Sequence, residues 1–323
     1  LSDLRENDVI ELTTTRANHL VDPVLTVWAW QIPVYLFLGG LVAGMMIISG
    51  YFLFSGRYKN TRSACFVLPG LSLVLLSLGM LALFLDLEHK LYVWRLYTTF
   101  EPLSPMSWGA WILVLVYPAL IANLLLRVPG PLRARVPALG ELSDRMVARP
   151  ELLRWIGAMN MIWGGLLGVY TGVLLSALGA RPLWNSALLG PLFLVSGLSA
   201  AAAFVHLVAP DVGERELLAK ADNGFLIAEL VFIALFLIGL LSSTEAHIQA
   251  AGLLLGGPFS ALFWVGVIGI GIVVPLGVQL LAVQHRVAHT PIAPLLVIAG
   301  GLALRFLIVQ AGQVSHWARV PGL

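Results

Sequence analysis

Residues 31–54 read QIPVYLFLGGLVAGMMIISGYFLF and contain no charged side chain. About 20 apolar residues in a row can cross the hydrocarbon core of a bilayer as a helix, so this stretch predicts a membrane-spanning helix. The polar residues 1–27 before it contain no cleavable signal pattern, and we therefore expect 31–54 to be a true span. The same reasoning predicts seven further spans, near residues 64–86, 108–126, 155–178, 187–208, 225–242, 260–282 and 292–311.

The composition indicates a chain whose main solvent and partner is the lipid bilayer. Of its 323 residues, 59% are hydrophobic and only 11% are charged, whereas a soluble domain carries about 25% charged residues. The formal net charge of +2 gives no indication of nucleic-acid binding. The predicted fold class is an all-α polytopic membrane protein with eight transmembrane helices, and two packed four-helix bundles are compatible with it.

The positions of Lys and Arg predict the orientation of the chain. Twelve of the nineteen fall in loops after odd-numbered spans, whereas six fall on the opposite side. Positive residues concentrate on the cytoplasmic side of membrane proteins, so both termini are expected on the outer, periplasmic side of a bacterial or archaeal cytoplasmic (inner) membrane. We therefore predict an outer polar N-terminal segment at 1–27, an eight-helix transmembrane domain at 28–311 and an outer C-terminal tail at 312–323.

Polar side chains within or beside the spans are the candidate functional residues, because an ionisable group in lipid is costly. With the predicted orientation, a set of them from distant parts of the chain gathers at the outer membrane depth. The set comprises Asn18, His19, Asp86, His89, Ser104, Ser107, Trp108, Tyr170, Thr171 and Arg305. Such a set suits a quinone, whose two carbonyls accept hydrogen bonds from Tyr and His and whose reduction requires proton exchange through His and Asp.

Simpler explanations exist for the same residues. Asp86 and His89 could cap the second span in headgroup water, and Tyr170 and the tryptophans could belong to the interfacial aromatic belt. Arg305 could form a structural ion pair, with Asp86 or Glu245 as partner.

Three polar residues stand toward the predicted inner side. His206 ends span five, and Asp222 and Glu229 open span six, which places Glu229 about one turn inside the bilayer. These residues are consistent either with solvated helix ends or with a proton path from the cytoplasm to the quinone site. A complete path would need bound water, because Ser196, Ser199 and Asn160 are the few other obvious carriers.

Several cofactors are not expected in this chain. Haem would need axial histidines inside the spans, and His206 is the only span histidine. Cys65 is the only cysteine, which excludes an intrachain disulfide and an iron–sulfur cluster held by this chain alone, since a cluster usually needs four thiolates. No metal site is predicted.

Five motifs occur in an order that resembles the NrfD-like family, the membrane subunits of polysulfide reductase and related enzymes. They are Trp28-x-Trp30-Gln31-Ile32-Pro33-x-Tyr35-x-x-x-Gly39-Gly40-x-x-x-Gly44, Asp86-Leu87-Glu88-His89, Ser104-Pro105-Met106-Ser107-Trp108-Gly109-Ala110-Trp111, Gly168-Val169-Tyr170-Thr171-Gly172 and Leu304-Arg305-Phe306. The family pattern has Gly where this sequence has Glu88, which adds an acid beside His89. The resemblance extends over nearly the whole chain.

The resemblance implies an eight-helix bundle that has no cofactor of its own and binds menaquinone, or ubiquinone, near its outer face. It also implies docking on an iron–sulfur (ferredoxin-like) electron-transfer subunit, which connects to a catalytic subunit, often a molybdopterin enzyme. By motif match, Tyr170 would be the quinone-site tyrosine, and Asn18 and His19 would be the family's polar pair ahead of the first span.

The predicted function is a quinone/quinol-binding integral membrane subunit of a respiratory oxidoreductase. Protons would be exchanged at His19, Asp86/His89 and Tyr170, and the outer loops 87–107 and 243–259, with residues 1–27, would form the dock for the partner. Two alternatives are a passive membrane anchor and a secondary transporter. Transporters have paired broken helices around a midplane polar site; Pro118 and Pro275 fit this pattern, whereas the polar groups at one face argue against it.

Overall fold

The computed structural model describes residues 28–57, 62–128, 130–209, 212–283 and 290–317. Within these ranges the chain is helical and contains no strand. Eight of the helices are long and apolar enough to cross a membrane, which confirms the predicted number of spans in the described part of the chain. They are α1 Gln31–Phe54, α2 Arg62–Asp86, α3 Pro105–Leu125, α4 Pro150–Ser176, α5 Leu189–Val208, α6 Val212–Leu241, α7 Leu262–Val283 and α8 Ile292–Val314.

Short helices occupy the longer connections. They are Lys90–Tyr92 and Arg95–Thr98 between α2 and α3, Gly130–Arg135 and Pro137–Val147 between α3 and α4, and Glu245–Leu255 between α6 and α7. Following the predicted orientation, we call the end of the bundle at which α1, α3, α5 and α7 begin the outer end. The periplasmic side of the termini and the division into two four-helix bundles stay predictions.

Helix α1 lies at the centre of the bundle, against α2, α4, α5 and α8. Of its most apolar stretch, 83% is buried inside the protein, compared with 28% for α6. Glycines allow this close approach: a Cβ on Gly44 would lie 2.3 Å from the carbonyl oxygen of Gly197, and a Cβ on Gly197 would lie 2.3 Å from that of Gly40.

Helix α6 begins at Val212, well before the predicted start at residue 225. The charged residues in its first turns lower the local hydropathy, and the sequence therefore predicted a later start. They do not interrupt the helix, because Glu, Leu, Ala and Lys are good helix formers. Moreover, Glu214 and Asp222 are buried, at 2% and 1% exposure, so these acids face protein. Glu229 lies about 26 Å from the start of the helix at 1.5 Å per residue, and its depth in the bilayer stays a prediction.

Pro118 and Pro275, the two prolines that fit the transporter alternative, do not break their helices. Helix α3 is continuous through Pro118. In α7, residues Leu262–Val273 have π-helical hydrogen bonding, and α-helical bonding resumes at Val274 directly before Pro275. The structure thus contains a change of winding at Pro275 and no pair of interrupted helices among the described residues.

Candidate functional site

A hollow of about 420 Å³ opens at the outer end, beside the connection from α2 to α3. Its polar lining includes His89, Arg95, Ser104 and Ser107, so the structure brings three of the predicted outer residues together. Asp86 is the last residue of α2, partly exposed, one position before the lining residue Leu87. Asn18 and His19 lie outside the residues that the structure describes.

Two side chains fix the shape of the connection above α3. The Ser107 hydroxyl accepts a hydrogen bond from the backbone N–H of Glu101 at 3.0 Å. The Trp108 indole N–H donates to the carbonyl oxygen of Pro102 at 2.7 Å. Because this bond occupies the only hydrogen-bond donor of the indole, the structure gives Trp108 a role in shaping the loop, and its ring is half exposed.

Tyr170 lies below this hollow, on the buried face of α4, at 6% exposure. Its ring packs directly on Gly109 of α3, because a Cβ added to Gly109 would lie 1.9 Å from the tyrosine hydroxyl oxygen. The hydroxyl forms no hydrogen bond with any residue that the structure describes. Tyr35 lies close enough to Tyr170, and also to Tyr97, to interact electrostatically with each of them.

Tyr35 and Tyr97 were not predicted from the sequence as members of this cluster. Tyr35 belongs to the first quoted motif, which was a signal for its importance. Tyr97 sits on the short helix Arg95–Thr98, and burial together with the nearby Tyr117 raises the pKa of its hydroxyl. Like any tyrosine phenol whose pKa is ordinary or raised, Tyr97 is protonated at neutral pH and can donate a hydrogen bond. We call Tyr35, Tyr97 and Tyr170 the tyrosine cluster.

Thr171, next to Tyr170, is fully buried. Its hydroxyl donates to the carbonyl oxygen of Gly168 at 2.7 Å, a common local bond of threonine in helices. Its methyl group faces α1, since a Cβ on Gly39 would lie 3.3 Å from it. The structure therefore gives Thr171 a packing role between α1 and α4.

A second group of polar residues lies inside the bundle, between α5, α6, α7 and α8. Asp222 accepts hydrogen bonds from the Ser199 hydroxyl at 2.6 Å and from the Gln279 amide at 2.7 Å. All three side chains are buried. His206, also buried, lies on the same face of α5 as Ser199, two turns further toward the inner end.

The next members surround Arg305, which is 1% exposed on α8. Its guanidinium donates to the Ser196 hydroxyl and, at 2.8 Å, to the carbonyl oxygen of Phe193, and lies 4.6 Å from the Phe193 ring centre. Ser196 also hydrogen-bonds the Glu229 carboxylate, which interacts electrostatically with Arg305. Ser196 therefore connects an acid on α6 with a base on α8.

We call these residues the buried polar chain; its members are Ser196, Ser199, His206, Asp222, Glu229, Gln279 and Arg305. Arg305 belongs to this chain and not to the hollow at His89, and its acidic neighbour is Glu229 instead of Asp86 or Glu245. The spacing of acidic residues on α6 and of serines on α5 was the signal in the sequence that could have predicted this chain. Asp222 and Glu229 are seven residues apart and share a face of α6, opposite the serines that share a face of α5.

A comparison with known protein families matches residues 18–316 to the family described as polysulphide reductase, NrfD. The chain belongs to the NrfD family. Its relatives include the C component of polysulfide reductase from Wolinella succinogenes, 30% identical over 89% of this chain and 94% of the relative. Protein NrfD of Escherichia coli is 30% identical over 94% of this chain and 99% of its own length. The C component of selenate reductase from Mesobacillus selenatarsenatis is 24% identical over 89% of this chain and 74% of that protein.

The described part of this NrfD-family protein contains no group of three or more His, Cys, Asp or Glu residues placed to hold a metal ion. At another part of the outer end, aromatic and amide contacts hold the segment before α1 against α8 and the connection between α4 and α5. Trp184 is 1% exposed, and its indole N–H donates to the carbonyl oxygen of Ile308 at 2.8 Å. Its ring stacks on that of Trp28, with the ring centres 5.2 Å apart. The Gln313 amide binds the backbone of Trp28 through both its oxygen and its nitrogen.

In this NrfD-family protein, the short helix Glu245–Leu255 carries His247 at the outer end. The His247 ring packs edge-on against the Trp317 ring, with the ring centres 5.1 Å apart. The Nδ1 atom of His247 lies 2.7 Å from the Thr244 hydroxyl oxygen. Burial lowers the pKa of the imidazole, because the charged form loses hydration.

This lowered pKa predicts a loss of stability in mild acid. In the unfolded chain the imidazole has a pKa of about 6.5, so below that pH the unfolded state binds more protons than the folded state. The stabilising difference is complete above about pH 6.5 and decreases as the pH falls toward the folded-state pKa. We expect the melting temperature of the purified protein to decrease between about pH 7.5 and pH 5.5, and His247→Gln to reduce that decrease. The exposed His89, changed to Gln, is the control; an equal pH dependence in wild type and His247→Gln would contradict the assignment.

Proposed function

We propose that this NrfD-family protein is a quinone-binding integral membrane subunit of a respiratory oxidoreductase, which exchanges electrons between menaquinone (or ubiquinone) and a partner iron–sulfur subunit. The observation that carries the proposal is the buried Tyr170 hydroxyl, held against Gly109 without a hydrogen bond to any described residue. Two of the relatives are named as components of reductases, one of polysulfide and one of selenate, which supports a redox role.

The tyrosine cluster and the hollow supply the donors that a quinone head group requires. Its two carbonyl oxygens accept hydrogen bonds, and Tyr170 and Tyr97 can each donate one. His89 lines the hollow above them, and an imidazole can act as a general acid or base in proton exchange. When bound, the quinone supplies the capacity to carry two electrons and two protons. The residues of this chain orient it, and His89, with Asp86 nearby, moves the protons.

We propose that the partner docks at the outer end, over the connection between α2 and α3. This segment exposes large apolar side chains, with Leu91 at 89% and Leu103 at 90% exposure. Trp94 and Phe100 beside them are more than half exposed. Exposed apolar patches mark interaction sites, and this one adjoins the hollow. An iron–sulfur subunit seated here would be near the quinone and would pass electrons to a catalytic subunit, of molybdopterin type by family resemblance.

The buried polar chain supports a second part of the proposal, a proton path that leads from His206 past Asp222 to Glu229. Ser199, two turns before His206 on α5, binds Asp222 of α6, and Ser196 binds Glu229. Hydroxyl groups can accept and donate a proton at once. Water would have to bridge the intervals between these groups.

The test of the quinone site is binding of a fluorescent quinol analogue to the purified complex, compared between wild type and Tyr170→Phe. The change removes one hydroxyl and keeps the ring, so affinity should fall about tenfold, which corresponds to about 1.4 kcal/mol. Tyr51→Phe, at the inner end of α1, is the matched control and should bind as wild type does.

Two other outcomes would overturn parts of the proposal. Saturable binding that Tyr170→Phe leaves unchanged would move the quinone site away from the tyrosine cluster. A wild-type complex that binds no quinol would instead favour a passive anchor.

A further inference from the structure

Two hollows flank Trp155 near the inner end of α4, far from the tyrosine cluster. One, of about 300 Å³, lies between the ends of α1 and α4 and is lined by Phe54, Glu151, Arg154, Trp155 and Ala158. The other, of about 270 Å³, lies between α3 and α4. Trp155 lines both hollows and is 69% exposed, so the two form one surface that passes from a charged end to an apolar end.

The charged end carries one acid and one base that do not pair. Glu151 and Arg154 are three residues apart on the first turns of α4 and both are exposed. Neither forms an ion pair with the other or with any residue that the structure describes. In the adjacent connection, by contrast, Arg133 pairs with Asp144, and Arg145 pairs with Glu141 at 3.2 Å. The hollow at Trp155 therefore presents separate positive and negative charges.

The apolar end continues along the groove between α3 and α4. Its wall includes Leu115 and Pro118 from α3, and Met159 and Trp163 from α4. Among the described residues that line it, Asn160 is the one polar side chain, and it is fully buried with its amide donating to the carbonyl oxygens of Ala119 and Ile156. From Trp155 to Trp163 the groove extends about 12 Å along the helix.

We propose that this surface binds a phospholipid whose headgroup carries a phosphate and a primary ammonium, as in phosphatidylethanolamine. The phosphate pairs with Arg154, the ammonium pairs with Glu151, and an acyl chain lies in the groove between α3 and α4. Tryptophan at the junction suits the depth at which headgroup meets hydrocarbon. A purely anionic lipid would satisfy Arg154 but would bring its charge against Glu151.

The test is titration of the delipidated full-length protein, with its partner subunits, with three phospholipids that have identical chains. Native mass spectrometry counts the lipids bound to wild type, Arg154→Gln and Glu151→Gln. Wild type should bind phosphatidylethanolamine about threefold more tightly than phosphatidylglycerol or phosphatidylcholine, since phosphatidylglycerol lacks an ammonium and phosphatidylcholine cannot donate hydrogen bonds to the carboxylate. Arg154→Gln should weaken binding of all three lipids.

Glu151→Gln is the discriminating variant, because it should remove the preference for phosphatidylethanolamine and leave binding of phosphatidylglycerol equal or stronger. Arg149→Gln removes a neighbouring charge outside the hollow and should behave as wild type. Equal binding of the three lipids by wild type would overturn the proposal, as would a preference that survives Glu151→Gln. Tightest binding of phosphatidylglycerol would show instead that general attraction to the basic connection dominates.

Discussion

Replacing Gly109 with Ala is expected to reduce quinone-linked turnover of the complex on the order of a hundredfold, because misplacing a reacting or hydrogen-bonding group by about 1 Å has that effect. The new methyl group would lie 1.9 Å from the hydroxyl oxygen of Tyr170 and equally close to the ring carbon that bears it. Either the ring must rotate away or α3 and α4 must separate. In both cases the hydroxyl leaves the position in which we propose that it binds the quinone.

The measurement is steady-state quinol oxidation or quinone reduction by the complex, together with the melting temperature. Gly165→Ala is the matched control, since Gly165 lies on the same helix as Tyr170 and a Cβ there would meet nothing within 4 Å. The double variant Gly109→Ala/Tyr170→Ala removes the clash, so it should recover stability without recovering turnover. Wild-type turnover in Gly109→Ala would contradict the placement of the quinone at Tyr170.

The second large effect is expected from Glu229→Gln, which should abolish charge movement across the membrane coupled to turnover while the electron transfer continues. The amide keeps the shape of the side chain but can no longer carry a proton between Ser196 and its surroundings. The measurement is a potential-sensitive dye in proteoliposomes that contain the complex, driven by quinol and an electron acceptor. An unchanged membrane potential in this variant would exclude Glu229 from any proton path.

Glu229→Gln also removes an acid that interacts electrostatically with the buried Arg305 guanidinium, so it is expected to lower the stability of the protein. The stability effect and the transport effect must therefore be separated. Glu229→Gln/Arg305→Gln removes both charges and should be more stable than Glu229→Gln alone, yet it should still move no charge. Glu229→Asp retains the carboxylate and should retain part of the charge movement.

The sequence predicted those features that depend on local composition. Uncharged stretches such as 31–54 marked the spans, and motif order marked Tyr170 and its neighbours. The predicted start of α6 was wrong because Glu214 and Asp222 are buried against protein. Hydropathy alone predicts that every acidic residue lies in water. Partners that meet only through packing of distant helices, such as Glu229 with Arg305, had no local signal. The contact between Gly109 and Tyr170 likewise depends on how α3 lies against α4.

The position of α1 at the centre of the bundle has a consequence for biosynthesis. Helix α1 precedes α4, α5 and α8 in the chain, yet in the finished protein these helices enclose it. During synthesis its glycine-rich surface must therefore remain in lipid or in the insertion machinery until its neighbours arrive. The last of them, α8, also carries Arg305, so this costly guanidinium reaches a bundle in which Glu229 and Ser196 are already present to receive it.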